Sequence, residues 1–580
     1  MIGSDIGSES VVSVIFALFL LSAFCTCEDG AASMRMIDQS IDHAMDQAMD
    51  QSLHNGTELA GRDLSGLDLS GAQLNRADMR RCLLIGTGLN DAALQQSDLG
   101  YSHLSGASLT GANLTASDLS KANLSGANLS GALAERACLQ GASLVNANLT
   151  GASLPGSNLV GADLSGADLR GSDLSEARMG GAGFIGSRLC RSSIIFSNFT
   201  GANLSHADLS GSTISGSLFR MGDLSSADLS RTIAGGAVMD EANLTGADLS
   251  YADFSDGQIH RAMLAGAVMV EFNGSGICMG GSDLSGARLI RADLSDASLH
   301  DTILVHADLS GADATGACIE NSDLRGANLT GMRLVRANLD GCNMSGLNMN
   351  RANAVSAKMC WADLSDSNLS AAQLCRAEFY GSDVSFADLS HADLARAYMM
   401  IANLSKASLV GANLESTDLT GAEMKGADLS SAVLHQTVLS DANLSGATLS
   451  FARLAGLNLR RADFRGAGLA EADLQGPMLI EDVNLAGADL SDARMELILL
   501  QNVSLVGADL RDANLTMIMM INVDMSGADL RGLRCDEFTL QNMLNCRRDG
   551  TAMSDDLGER LAAMERTVNQ GGLLAKTAGN

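Results

Sequence analysis

The chain has 580 residues, 62 glycines, two prolines and 3% aromatic residues, with a formal charge of −30 at pH 7. Such a charge repels polyphosphate and anionic lipid, so direct binding of nucleic acid or of an acidic membrane surface is not expected. Twelve cysteines spread over this length also exclude the small disulfide-stapled class.

Val11 to Phe24 is an apolar run of signal-peptide length, whereas Met1 to Ser10 carries two acids and no Lys or Arg. Residues 1–27 are read as a signal-like leader, and the protein as extracytoplasmic, whether secreted, periplasmic or lumenal. A membrane anchor through 11–27 and a cytoplasmic protein whose leader has no targeting meaning are the alternatives. Within 28–55, Ile37, Ile41, Met45, Met49 and Leu53 recur every four residues with Asp38, Asp42, Asp46 and Asp50 beside them. This is an amphipathic helix, expected to cap the structure that follows, with partner binding as the sharper alternative.

From 56 to 541 one five-residue phrase recurs: GANLT at 111–115, GADLS at 161–165, GANLS at 201–205 and GADLS at 426–430. A large apolar residue, usually Leu, stands at every fifth position from Leu59 to Leu479 and again from Leu485 to Leu540, with Ala usually two places before it. On an α-helix this Leu would precess by about 140° per repeat, and on a flat strand an odd period would flip it to the opposite face. Short extended pieces joined by corners satisfy the pattern, so the chain coils around its own Leu column. The small central residues Ala134, Ala234, Gly274, Ala314 and Ala354 are 100, 40, 40 and 40 residues apart. All are multiples of twenty, which gives four repeats per turn. Phe254 is expected between Ala234 and Gly274, large against small.

Tandem A(D/N)Lxx arrays of this kind resemble the pentapeptide repeat family over about 84% of the chain. The resemblance implies an all-β fold, a right-handed quadrilateral (four-sided) parallel β-helix solenoid. The array is long enough for about 24 coils, flanked by short α-helices. It implies little about function, because the family includes topoisomerase inhibitors that resemble the DNA duplex, lumenal proteins of photosynthetic membranes and secreted effectors.

Leu479 and Leu485 are six apart, so one extra residue is expected to enter close to Gly476-Pro477 as a bulge at one corner, with the register shift placed near 480–484. Beyond it Leu499 and Met519 stand outward and twenty apart, Leu497 and Met517 form a neighbouring column, and Met478 extends one column by a coil. In the tail, 542–580, a helix over about 554–568 presents Leu557, Leu561, Met564 and Val568. This stripe is expected to cover the apolar wall, within the chain or across a two-fold homodimer.

Nine histidines are scattered without a triad or metal spacing, and no Gly-rich loop precedes a helix. No catalytic residue, cofactor or metal site is expected, and the protein is not read as an enzyme. Cys82 and Cys342 replace inward Ala as core filler, and Cys535 with Cys546 is the one bridge entertained. Asp208, Asp228 and Asp248 share one outward position in successive coils, an acidic ladder. Cys138, Leu218, Val238, Cys278, Cys318, Val438 and Met478 share another outward phase, a wall poor in acid and the one where a partner is sought. The leading function is a non-enzymatic rod-shaped scaffold or protein-binding solenoid with an unknown protein partner. The alternative is an acidic DNA-mimicking inhibitor of a nucleic-acid enzyme such as a topoisomerase.

Overall fold

The computed structural model describes residues 54–577. The expected leader at 1–27 and nearly all of the expected capping helix at 28–55, including Ile37 to Leu53, lie outside the described residues. The chain divides into two compact units, one ending at Gln258 and the other beginning at Ile259.

In the first unit every bridged pair is parallel and twenty residues apart, as in Asp63 with Leu83, Asn113 with Leu133 and Val238 with Gln258. The repeat at 111–115 shows why five residues suffice. Gly111 N–H donates to Ser130 O in the next coil, Ala112 to Leu109 O across the corner, Asn113 to Ala92 O in the preceding coil and Leu114 to Leu133 O in the next. The fifth donor, Thr115 N–H, has no backbone acceptor and is taken by the Asn113 side chain, 3.1 Å to Oδ1. Unpaired backbone donors are costly, so the third position is Asp or Asn because one of its oxygens closes this account. Pro155 fits the same rule from the other side. It occupies a fifth position, brings no N–H, and the third residue of its repeat is Ser153.

The inward residues are buried. Leu74 to Leu249 at the central positions are almost all fully buried, and Ala134 and Ala234 stand among them. Phe199 and Phe219 occupy the same column and stack with ring centroids 4.7 Å apart and planes 12° apart, with Phe184 tilted against Phe199 at 5.4 Å. The corner residue adopts a left-handed backbone, φ 67° at Gly111, which Gly tolerates without strain.

The second unit repeats the scheme, with Cys278 paired to Ser298 and Arg453 to Asp473. Then the spacing changes. Asp463 pairs with Asn484 and Gly468 with Asp489, twenty-one apart. Strand β1 (Asp473–Glu481) lies parallel to β2 (Arg494–Gln501), and between Gln475 and Met478 the offset returns to twenty. The extra residue thus enters at Gly476-Pro477, as expected, and the register shifts there and not near 480–484. As a consequence Ile480, not Leu479, is the central residue: Ile480 is buried and Leu479 is 47% exposed. The bulge leaves an apolar void of about 20 Å³ among Leu457, Phe464, Ile480 and Val483.

β2 continues onto β3 (Asn514–Thr516) and β4 (Met519–Ile521), and β3 onto β6 (Arg534–Cys535). The repeat ends there, a few residues short of the expected 541. Helix α1 (Glu537–Met543) follows, capped by Asp536, whose side chain accepts from Thr539 N–H. α1 packs on β3 and β4 and buries Leu540 and Met543. Leu540 keeps the five-residue beat in the sequence but belongs to a helix. α1 also completes the open ladder: Ile518 N–H donates to Thr539 Oγ1 at 3.0 Å and Met517 N–H to Asp536 Oδ2 at 3.1 Å. Strand β7 (Ala552–Met553) adds to β5 (Asp529–Leu530). Helix α2 runs Asp555–Thr577, longer than the expected 554–568.

Candidate interaction surface

Three surfaces follow from the corner and wall geometry. The first is the acidic ladder. Asp208, Asp228 and Asp248 are consecutive bridged neighbours, with Arg188 beyond Asp208. Each carboxylate accepts from the backbone of its own corner: Ser210 N–H to Asp208 at 3.0 Å, Ser230 N–H to Asp228 at 2.8 Å and Ser250 N–H to Asp248 at 2.9 Å. These three therefore have a structural duty that Asn would discharge equally well.

The second is the apolar wall after the insertion. The structure changes its membership: Met478 is 6% exposed and points inward, because the extra residue stands before it. Its place is taken by Leu479, which pairs with Leu499, and Leu499 with Met519. Leu497 and Met517 stand at the adjacent corner with φ 61° and 58°. The helix expected to cover this wall is elsewhere. α2 packs against α1, Arg560 donates to Cys535 O at 3.0 Å and Arg548 pairs with Glu565 at 2.9 Å. Leu557 and Leu561 are buried, Met564 is half-buried and Val568 is 48% exposed. The helix docks within its own chain, but at the closed end of the ladder, and Leu497, Met517 and Met519 stay 45 to 47% exposed. The reason is connection: Arg547 to Met553 adds one more piece of ladder beside Val523 to Leu530, which holds the start of α2 at that end.

The third is the wall poor in acid. In the first unit it carries Glu58, Asp78, Asp98 and Asp118 before Cys138, so in that unit it is free of acid only from Cys138 onward. In the second unit it runs without interruption through bridged neighbours from Cys278 by way of Cys318, Asn338, Lys358, Glu378, Tyr398 and Asp418 to Val438. Trp361 and Tyr380 stand at its corner. Their rings meet edge to face, centroids 5.3 Å apart at 82°, and the Trp361 ring lies across the backbone of Gly381, where a Cβ would come 2.5 Å from it. Trp361 is 64% exposed and Tyr398 51%. Sequence reading reached this wall through its cysteines and valines and passed over the aromatic corner, which only the stacking of successive coils assembles.

Cys535 and Cys546 are free thiols, so the bridge entertained between them is absent. Cys82 and Cys342 are buried, and burial pushes the Cys342 thiol up to about 12. Among the described residues no group of His, Cys, Asp and Glu is placed to hold a metal ion, and no helix is long and apolar enough to cross a membrane.

A family model described as "Pentapeptide repeats (8 copies)" matches in stretches from residues 63–100 to 481–516. Among solved structures, HetL, a pentapeptide repeat protein involved in heterocyst differentiation regulation in a Nostoc cyanobacterium, is 33% identical; the match covers 42% of this chain and 90% of HetL, with TM-score 0.16. QnrB1, a plasmid-mediated fluoroquinolone resistance protein, is 15% identical over 44% of this chain and 91% of its own, TM-score 0.18. A pentapeptide repeat protein of the Arabidopsis thaliana thylakoid lumen is 28% identical over 20% and 68%, TM-score 0.09. No curated protein sequence matches the chain.

Proposed function

The chain belongs to the pentapeptide repeat family, and on that premise we propose that it is a non-enzymatic, protein-binding solenoid that acts outside the cytoplasm. The observation that carries the reading is the wall from Cys278 to Val438, where Glu378 and Asp418 are the acids in the bridged row and exposed Trp361, Tyr380 and Tyr398 gather on the wall and its corner. Interfaces are depleted in charge and enriched in aromatic residues. A photo-crosslinking side chain at position 398, with Gln373 on another wall as the control, tests it. A protein adduct is expected at 398 alone; equal yield at both positions, or none at 398, overturns the reading. N-terminal sequencing of the fractionated protein tests the compartment, since an intact Met1 on a cytosolic product contradicts export.

A second reading, an acidic inhibitor that mimics DNA, draws support from the in-register Asp208, Asp228 and Asp248. Like charges at about 4.8 Å reproduce the sign of a phosphate row, though not its spacing. Inhibition of DNA supercoiling at micromolar protein is its expected outcome, and no effect there removes it.

A further inference from the structure

The aromatic corner stands across one wall from a row of exposed cations. Arg336, Arg376 and Arg396 occupy one corner position in coils of the second unit, two residues before Asn338, Glu378 and Tyr398. Lys358 lies between Asn338 and Glu378 on the wall itself. Among the described residues none of these four cations forms an ion pair, whereas Arg325 and Arg333 on other walls hold Asp323 and Asp313 at 2.7 and 3.1 Å. In a chain of formal charge −30, four cations against Asp340 and Glu378 around the one Trp and two of the four Tyr make a local excess of positive charge.

From this juxtaposition we infer that the wall between the Arg336–Arg396 corner and the Trp361–Tyr380 corner binds an acidic, extended polypeptide segment, its carboxylates on the cations and its apolar side chains on the rings. The inference rests on the protein-binding reading and names the chemistry of the partner. Arginine and aromatic side chains are the groups that dominate interface energetics, and the rings here are already seated: Trp361 lies flat on Gly381 and is braced by Tyr380, so little freedom is lost on binding. A polyanion with a charge on every unit suits the wall less well. Glu378 and Asp418 interrupt it on either side of Tyr398, about 9.6 Å apart at two strand spacings. A peptide can place its carboxylates beside the cations and leave those two positions uncharged.

Trp361 is the sole tryptophan, so its fluorescence reports on this corner without labelling. The probe is a Trp-free peptide of Glu-Gly-Leu repeats, titrated into the full chain. A saturable blue shift that weakens with salt is expected, together with at least about tenfold weaker binding when Arg376→Glu and Arg396→Glu are combined. The same double variant should keep the thermal midpoint, since both side chains are exposed corner residues. No saturable shift, or an equal shift with the Lys-Gly-Leu peptide, overturns the inference. Tighter binding of heparin or of an oligothymidylate than of the acidic peptide overturns it as well, by making the wall a general polyanion site. If the peptide fails while position 398 still crosslinks to a protein, the acidic partner is wrong and the protein-binding reading stands.

Discussion

The ring of Phe272 lies where a side chain on Gly274 would have to be: a Cβ built on Gly274 would come 2.6 Å from Phe272 Cε1 and 3.2 Å from Ile277 Cγ2. Phe272 occupies a position that is Ala in most repeats and is fully buried, so it has nowhere to retreat. The missing central side chain at Gly274 is the counterpart of the oversized one beside it. The pairing lies within one repeat. Gly274→Leu, which restores the consensus residue, should therefore destabilise by about 1–3 kcal/mol or more through overpacking. Phe272→Ala alone should cost about 3–5 kcal/mol by cavity formation, and the double variant should recover part of both losses. Denaturant unfolding of the three variants checks this, and simple additivity would show that the two sites are independent.

Leu244 and Asp248 test which side of the wall is which. Leu244 is fully buried, and Leu244→Asp places a charge in the Leu column without a partner, at a cost of several kcal/mol. Asp248→Asn keeps the oxygen that accepts from Ser250 N–H and should be near neutral. Asp248→Ala should fall between them, at about 1–3 kcal/mol, because that N–H loses its acceptor. Thermal midpoints in this order are expected; equal midpoints for the first two would mean that inside and outside are exchanged.

Asp529 predicts part of the acid limb of stability. The Arg531 guanidinium, with Nε donating to Oδ1 at 2.9 Å, holds its carboxyl down at about 2, below the ordinary 3.8. A carboxyl depressed on folding stabilises fully above its unfolded pKa and loses that contribution as pH falls through the folded one. The stability difference between the parent and Asp529→Asn should accordingly be flat above pH 4 and shrink between about 4 and 2. A difference unchanged across this window would show that the pair is not coupled to folding.

Thr539 closes the ladder at the end of the second unit. Its hydroxyl accepts from Ile518 N–H, and both groups are buried. Thr539→Val keeps the shape and removes the acceptor, so it should cost about 1–3 kcal/mol, with Thr539→Ser recovering most of it. Amide exchange at Ile518 should accelerate in the Val variant and not in the Ser variant.

Cys342 should resist alkylation in the folded protein at mildly alkaline pH, because its thiol is buried and shifted up to about 12, and react on unfolding. Cys535 and Cys546 should both be counted as free thiols after denaturation without reductant. A pair missing from that count would restore the bridge between them.

The five-residue phrase alone determined that the chain is a parallel solenoid, that a coil closes after twenty residues and that Leu and Ala face inward while Asp and Asn face out. These are legible because each ladder bond joins a repeat to a copy of itself one coil away, so local pattern and long-range pairing are the same information. The third-position carboxyl or amide is legible too, once the fifth N–H is seen to need it. Where the pattern breaks, several local solutions fit equally well and only packing selects among them. One inserted residue could have been absorbed on either side of Leu479, and the structure takes it at Gly476-Pro477 because Met478 and Ile480 then both fill the core. The stripe of α2 is visible in the sequence, but its target is not, since the Arg547–Met553 ladder and α1 decide where it can reach. Trp361, Tyr380 and Tyr398 look like scattered exceptions along the chain, and gather on one wall and its corner only because successive coils stack.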